Sequence, residues 1–141
     1  MSLPAGRIYL FDTSIWGYAD HPLIAADWDA ALERDELAVS PIVAFEILYG
    51  AQNQADFEGL ERELDALRQA PLTPGIVRDA RRALHDLSAK ASHRIPFQDA
   101  LIAATAAYKG LTVLHYDGHF DTLSKALNFQ SRWAAAPGSL E

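Results

Sequence analysis

The apolar residues of the chain fall into short continuous runs and longer segments of helical spacing. Residues 7–11 read Arg-Ile-Tyr-Leu-Phe, and Leu37–Val39 and residues 112–116 are similar short runs that favour β structure. Runs of this length without polar alternation are typical of strands buried on both faces of a parallel sheet. A last, weaker strand is predicted near Phe129.

The segments between these runs predict helices. Ser40 and Pro41 make a good helix start, with serine as N-cap and proline at the first helical position, and this helix is expected to reach about Gln52. Pro96 begins another helix, which Gly110 stops. Four further helices are predicted. One starts at His21-Pro22 and has Ile24, Trp28, Ala31 and Leu32 on one face, and a second carries the stripe Phe57, Leu60, Leu64 and Leu67. The other two cover residues 76–91 and 120–127.

Strands that alternate with helices predict an α/β domain with a central, mainly parallel sheet flanked by helices. A chain of 141 residues is long enough to bury a single apolar core. We find no internal repeat, low-complexity segment or linker. One domain is therefore expected over 1–141, with 1–5 and 137–141 as ends that fray or that cloning added.

The composition narrows the chemistry. The sequence has no cysteine, which excludes disulfides, thiol nucleophiles and cysteine-ligated zinc, so any metal must be held by oxygen or imidazole. No apolar stretch approaches the roughly 20 residues that cross a bilayer, and no signal peptide opens the chain, so a cytoplasmic protein is expected. The net charge of −7 argues against coating nucleic acid through the overall field. Nucleic acid remains a reasonable substrate, because a bound cation reverses the local sign.

Four acidic residues stand at informative positions. Asp12 and Asp117 directly follow apolar β runs, and ligand sites of open α/β sheets lie at the carboxyl ends of strands. Glu46 lies in an otherwise almost wholly apolar helix and is expected to point inward or along a cleft, with Gly50 leaving room one turn later. Asp99 opens a helix that continues with small and apolar residues for most of three turns.

Each acid also has a structural explanation: a turn or cap for Asp12 and Asp117, the edge of the core for Glu46, and the helix dipole for Asp99. Four carboxylates in apolar surroundings would nevertheless repel one another unless a cation lay between them. Carboxylate oxygens are the ligands that Mg²⁺ and Mn²⁺ prefer. A metal site is therefore the economical prediction.

Four segments in order resemble the PIN-domain nucleases, and among them the VapC-type toxins of bacterial type II toxin–antitoxin pairs. They are Leu-Phe-Asp-Thr-Ser at 10–14, Ser-Pro-Ile-Val-Ala-Phe-Glu-Ile-Leu-Tyr-Gly at 40–50, Asp-Ala-Leu-Ile-Ala-Ala-Thr-Ala at 99–106, and Leu-His-Tyr-Asp-Gly-His-Phe-Asp at 114–121. The resemblance implies a three-layer PIN-like fold, a Mg²⁺- or Mn²⁺-dependent endoribonuclease, inhibition by a cognate VapB-type antitoxin, and a homodimer.

The resemblance also implies roles for residues. The positions Asp12, Glu46, Asp99 and Asp117 take the family's acidic metal-binding and catalytic roles, with Thr13 or Ser14 as a polar neighbour of the metal. Many relatives carry a second aspartate two positions after the one matching Asp117, whereas this chain has His119 there and Asp121 two further on. Either His119 influences the metal and shifts its preference toward Mn²⁺, or it packs against the turn while Asp121 or water completes the coordination.

Several basic and aromatic residues are candidates for contacts with RNA. Arg78, Arg81, Arg82 and His85 share one side of a helix and either hold phosphates or form a solvated face paired to acids. His93 and Arg94 precede Asp99 closely and are placed near the site. The stripe from Phe57 to Leu67 either packs in the core or forms a dimer or antitoxin interface. The three tryptophans, Trp16, Trp28 and Trp133, either stack on RNA bases or belong to the core.

Two other functions compete with the nuclease. A phosphatase of the haloacid-dehalogenase kind also places an aspartate after the first strand, but it needs a second aspartate two residues on, where Ser14 stands. A non-catalytic PIN-type module that binds RNA or protein is the stronger alternative. Such degenerate relatives are expected to lose acids, and all four acids are present here.

Overall fold

The computed structural model describes residues 3–89 and 94–140. The described chain contains the following elements in order: β1 Tyr9–Phe11, α1 Thr13–Trp16, α2 Ala25–Glu33, β2 Leu37–Val39, α3 Pro41–Tyr49, α4 Gln54–Asp65, β3 Arg68–Gln69, α5 Pro74–Ser88, α6 Phe97–Lys109, β4 Thr112–His115, α7 His119–Leu123 and β5 Gln130–Trp133.

The strands form one sheet in the order β3-β2-β1-β4-β5, and every pairing between them is parallel. The central strand β1 is buried along its whole length, with Tyr9 aligned to Leu37 of β2 and to Thr112 of β4. The chain adds β2 and β3 on one side of β1 and then returns to add β4 and β5 on the other. The gap between the carboxyl ends of β1 and β4 is therefore the topological switch point, where open α/β sheets bind ligands.

Local sequence signals set the helices that flank this edge. The Ser40 hydroxyl accepts a hydrogen bond from the Ile42 N–H at 3.2 Å and caps α3, as serine before proline predicts. Gly110 ends α6 in the left-handed conformation, at a φ of 68° that glycine adopts without strain. Most of α6 is buried, because its alanines allow close packing against the sheet and α5.

Some predicted boundaries and faces were wrong. The helix α3 ends at Tyr49 and not near Gln52, because Gly50 caps it. Leu32 of α2 is 46% exposed, whereas the other members of its predicted stripe are buried. The helix predicted over 76–91 starts at Pro74 and ends at Ser88, and residues 90 and 91 lie outside the described residues. The helix predicted over 120–127 is the five-residue α7.

The structure also decides several packing questions. Leu64 is buried and Leu60 and Leu67 pack against the core, so the stripe is mainly core, with Phe57 39% exposed at its start. Trp16 and Trp28 pack around Phe11, with ring centroids 5.8 and 5.1 Å from it. These two tryptophans therefore belong to the core. No helix among the described residues is long and apolar enough to span a membrane.

The C-terminal segment packs onto the body of the domain instead of fraying. Leu140 is buried, and its N–H donates to the Tyr116 hydroxyl at 3.1 Å. A buried apolar side chain with a hydrogen-bonded backbone N–H is held in place. The preceding Pro-Gly-Ser at 137–139 gave no indication of this packing.

Candidate metal centre

Asp12 is fixed at the carboxyl end of β1. Its backbone N–H donates to the Leu114 carbonyl of β4 at 2.9 Å, and its side chain caps α1. The carboxylate Oδ2 accepts hydrogen bonds from the Ser14 hydroxyl at 2.7 Å and from the Ser14 N–H at 3.4 Å. The predicted polar neighbour is therefore in contact with this acid, and α1, too short to predict from periodicity, provides the contact.

Asp99 lies in the first turn of α6 and is only 8% exposed to solvent. Burial raises the pKa of its carboxyl to about 6, and the nearby negative charges of Asp12 and Asp117 act in the same direction. A hydrogen bond from His119 opposes this rise. The mutual effect indicates that these three carboxylates share one site.

Asp117 is held by the turn that follows β4. Its backbone N–H donates to Nδ1 of His115 at 3.2 Å, and its Oδ1 accepts the His119 backbone N–H at 2.9 Å. His115 is fully buried between the rings of Phe120 and Trp133, and burial lowers its pKa to about 4. A neutral imidazole has the lone pair that accepts the Asp117 N–H. The sequence analysis missed this role, because a histidine that ends an apolar strand carries no signal beyond its spacing to Asp117.

His119 brings the two acids together. Its Nδ1 lies 2.9 Å from Oδ2 of Asp99 and 3.1 Å from Oδ1 of Asp117. Each of these three residues offers a ligand atom, and all three atoms lie within 4.8 Å of one another. Asp12 joins the group electrostatically: burial raises the pKa of its carboxyl, and the charge of Asp117 raises it further.

Glu46 lies at the rim of this centre. It is exposed, and the buried residues of α3 are Val43 and Ile47, so of the two predicted orientations the inward one was wrong. The Thr13 hydroxyl donates to Glu46 Oε1 at 2.9 Å and links α3 to the residue next to Asp12. Gly50 caps the helix and is not needed to make room for the carboxylate.

The remaining predicted site residues lie further out or outside the description. Asp121 is exposed and accepts the Trp133 Nε1–H at 3.4 Å, and it is not one of the three clustered ligands. Arg94 is exposed, and Arg82 lies on the exposed face of α5. His93 lies outside the described residues. The roles of these residues toward RNA stay predictions.

The residues present fit a divalent cation. Two buried carboxylates with raised pKa values indicate negative charge that their surroundings do not fully compensate. Oxygen and imidazole donors are the ligand types that Mg²⁺ and Mn²⁺ sites use, with Mn²⁺ accepting nitrogen more readily. Asp99, Asp117 and His119 would hold the ion, with Asp12 beside it.

Comparisons with known proteins place this arrangement in a family. Residues 9–126 match the PIN domain model. The chain is 32% identical over 136 residues to Ribonuclease VapC18 of Mycobacterium tuberculosis, covering 94% of this chain and 99% of that protein. It is 28% identical over 133 residues to Ribonuclease VapC51 of the same organism, covering 94% and 97%.

Solved structures show the same fold. The DNA-bound VapBC complex of Salmonella typhimurium contains a chain that aligns with a TM-score of 0.74 at 16% identity, covering 92% of this chain and all of that one. VapBC-1 of nontypeable Haemophilus influenzae aligns with a TM-score of 0.73 at 20% identity, covering 90% and 98%. The match over residues 9–126 agrees with the parallel five-stranded sheet and with the acids clustered at its switch point. The chain therefore belongs to the PIN-domain family, and the relatives it resembles are named VapC.

Proposed function

We propose that this protein is a metal-dependent endoribonuclease that acts as the toxin of a VapBC-type toxin–antitoxin pair. The observation that carries the proposal is the group of mutually interacting carboxylates of Asp12, Asp99 and Asp117 at the sheet's switch point. Its similarity along almost its whole length to a protein named Ribonuclease VapC18 supports the same activity. A bound Mg²⁺ or Mn²⁺ would lower the pKa of water and neutralise charge on the phosphate.

Different residues of the chain have different roles around the ion. Asp99, Asp117 and His119 supply the clustered donor atoms for the ion. Ser14 fixes the orientation of the Asp12 carboxylate through its hydroxyl. Glu46 at the rim, oriented by Thr13, adds negative charge on the side open to solvent, where it would bind the ion or its water ligands.

A small antitoxin is the proposed protein partner. Structural neighbours of this chain include the VapBC complexes named above, in which a PIN chain is found with its VapB protein. We expect the cognate VapB-type protein to inhibit the nuclease and the toxin chain to form a homodimer. Sedimentation of the purified chain, alone and with the product of its neighbouring reading frame, tests the homodimer and the complex, and RNA cleavage with that product added tests the inhibition.

Cleavage of a labelled single-stranded RNA tests the activity. We expect cleavage with Mg²⁺ or Mn²⁺, none with EDTA, and a loss of at least about 100-fold in Asp99→Asn, which keeps the side-chain volume but removes a charge from the metal cluster. Asp65→Asn is the matched control, because Asp65 is an exposed aspartate at the end of α4. RNA binding without metal-dependent cleavage would instead support the non-catalytic module.

A further inference from the structure

The outer face of α5 carries a group of basic side chains. Arg78, Arg81, Arg82 and His85, here called the α5 arginine face, line an open cleft of about 450 Å³. All four are exposed, on the side of the helix opposite the buried Ile76, Ala80, Ala83 and Leu87. The spacing of three, one and three residues places them in one stripe along the helix.

The three arginines of this face have no carboxylate partner among the described residues, whereas two arginines elsewhere on the surface do. Arg34 pairs with Glu36, and Arg68 pairs with Asp35 at 3.2 Å. α5 carries two acids beside the stripe: Asp86 contacts His85 and not an arginine, with 3.2 Å between Oδ1 and Nδ1, and Asp79 forms no ion pair with a described residue. In a chain with 19 acidic residues and a net charge of −7, an unpaired group of guanidinium ions is therefore a local positive surface.

The packing of the helices places one end of this face at the same end of the α5–α6 pair as Asp99. α5 and α6 pack together, and a Cβ at Gly75, near the start of α5, would lie 4.0 Å from the Tyr108 ring, near the end of α6. The two helices are thus antiparallel. The His85 end of the stripe lies at the same end of the pair as Asp99, and the stripe runs about 10 Å away from it toward Arg78.

We propose that the α5 arginine face binds backbone phosphates of an RNA strand that extends beyond the cleaved bond. This inference rests on the proposed nuclease function. Guanidinium groups bind phosphate oxygens bidentately, and contacts with phosphate carry no sequence information, so the face would supply affinity without sequence preference. The acidic centre repels a polyanion until a cation binds, and a separate basic surface offsets that repulsion.

The test compares two variants with the same change in net charge. Arg78→Gln/Arg81→Gln/Arg82→Gln removes the arginines of the face, and Arg7→Gln/Arg62→Gln/Arg68→Gln removes three exposed arginines elsewhere. Binding of a fluorescently labelled single-stranded RNA is measured by anisotropy in EDTA, so that no strand is cut, over a range of salt concentrations. Thermal unfolding checks that each variant folds, and single substitutions replace the triple variant if it does not.

We expect the face variant to bind at least about 10-fold more weakly at low salt, and the slope of log K against log salt to fall in magnitude by about 2, as three lost contacts with a single strand predict. The control variant should keep the wild-type slope. A face variant with wild-type affinity and slope would overturn the inference, as would weaker binding of the antitoxin alone. Cleavage by the wild-type protein separates the two proposals: a protein that binds RNA through this face but never cuts it retains the inference and loses the nuclease.

Discussion

The imidazole of His119 bridges two carboxylates, with its Nδ1 at 2.9 Å from Asp99 and 3.1 Å from Asp117. A donor at this position offsets part of the repulsion between the acids, and the hydrogen bond to Asp99 lowers the pKa that burial raises. Of the two sequence-based possibilities, the structure places His119 among the acids, and Asp121 contacts Trp133 instead. The cluster thus contains one nitrogen donor beside its carboxylate oxygens.

His119→Asp should therefore change the choice of metal. A carboxylate in place of the imidazole adds a hard, negatively charged ligand, so Mg²⁺ should bind more tightly and the ratio of Mn²⁺-supported to Mg²⁺-supported cleavage should fall several-fold. Titration of activity with each ion measures both quantities. If neither the half-saturating Mg²⁺ concentration nor the ratio changes, His119 lies outside the influence of the ion.

The stability of the metal-free protein should depend on Asp99 and on pH. Because the folded-state pKa of Asp99 is raised from 3.8 to about 6, the folded protein holds this proton more tightly than the unfolded chain does. The protonated Asp99 carboxyl thus stabilises the folded protein fully below about pH 4, and this stabilisation is lost as pH rises through about 6. Asp99→Asn, which cannot ionise, should raise the free energy of unfolding at pH 7 by roughly 1–2 kcal/mol, allowing for residual solvent contact.

Urea unfolding of both proteins in EDTA at pH 4 and pH 7 measures this difference. The gain should be small or absent at pH 4, where the wild-type carboxyl is protonated, and Mn²⁺ should stabilise the wild-type protein far more than the variant. An equal gain at both pH values would contradict the electrostatic explanation.

Ser14→Ala should weaken catalysis by way of Asp12. Both hydrogen bonds from Ser14 lower the pKa of Asp12, and the alanine variant loses the hydroxyl contact at 2.7 Å. We expect activity to fall by about 10-fold and the half-saturating metal concentration to rise, as is usual when a group that orients a ligand is removed. Ser14→Thr, which keeps a hydroxyl, should recover most of the activity, whereas full activity in Ser14→Ala would show that Asp12 needs no such support.

His115→Leu should loosen the turn that carries Asp117. Leucine preserves the apolar packing against Phe120 but leaves the Asp117 N–H without its acceptor, at a cost of about 1–3 kcal/mol. Metal affinity should fall together with stability, and His115→Asn, with a side-chain oxygen as acceptor, should retain more of both. Calorimetric metal titration and urea unfolding provide the two measurements, and a stability loss with unchanged metal affinity would assign His115 to the core alone.

The sequence predicted elements wherever a local signal was strong. β2 matches its predicted bounds, Ser40 caps α3, Gly110 ends α6, and Asp12 and Asp117 follow strands as expected. Asp99 shows the limit of such signals. Its position in a buried helix was predictable, but its contact with His119 depends on packing between α6 and α7, which no spacing along the chain reports.

The predictions failed where tertiary packing or short length decided the outcome. Arg68–Gln69 forms an edge strand of two exposed polar residues, which has none of the apolar character that marks a strand. The exposed side of α3 could not be predicted because nearly every side chain on this helix is apolar, yet Phe45 is 73% and Tyr49 is 93% exposed. An apolar pattern without polar gaps cannot indicate which side of a helix meets water.

The parallel pairing of β1 with β4 also affects when the site forms during synthesis and folding of the chain. Tyr9 aligns with Thr112, so about 100 positions must be crossed before the two strands that carry the centre can meet. Such distant pairings form late in folding, because the intervening loop must close before the contacts compensate for it. A ribosome-bound chain that has not yet released β4 lacks Asp117 and His119 at the sheet edge and carries no assembled centre. Synthesis itself therefore delays the moment at which the centre is complete and can hold a cation.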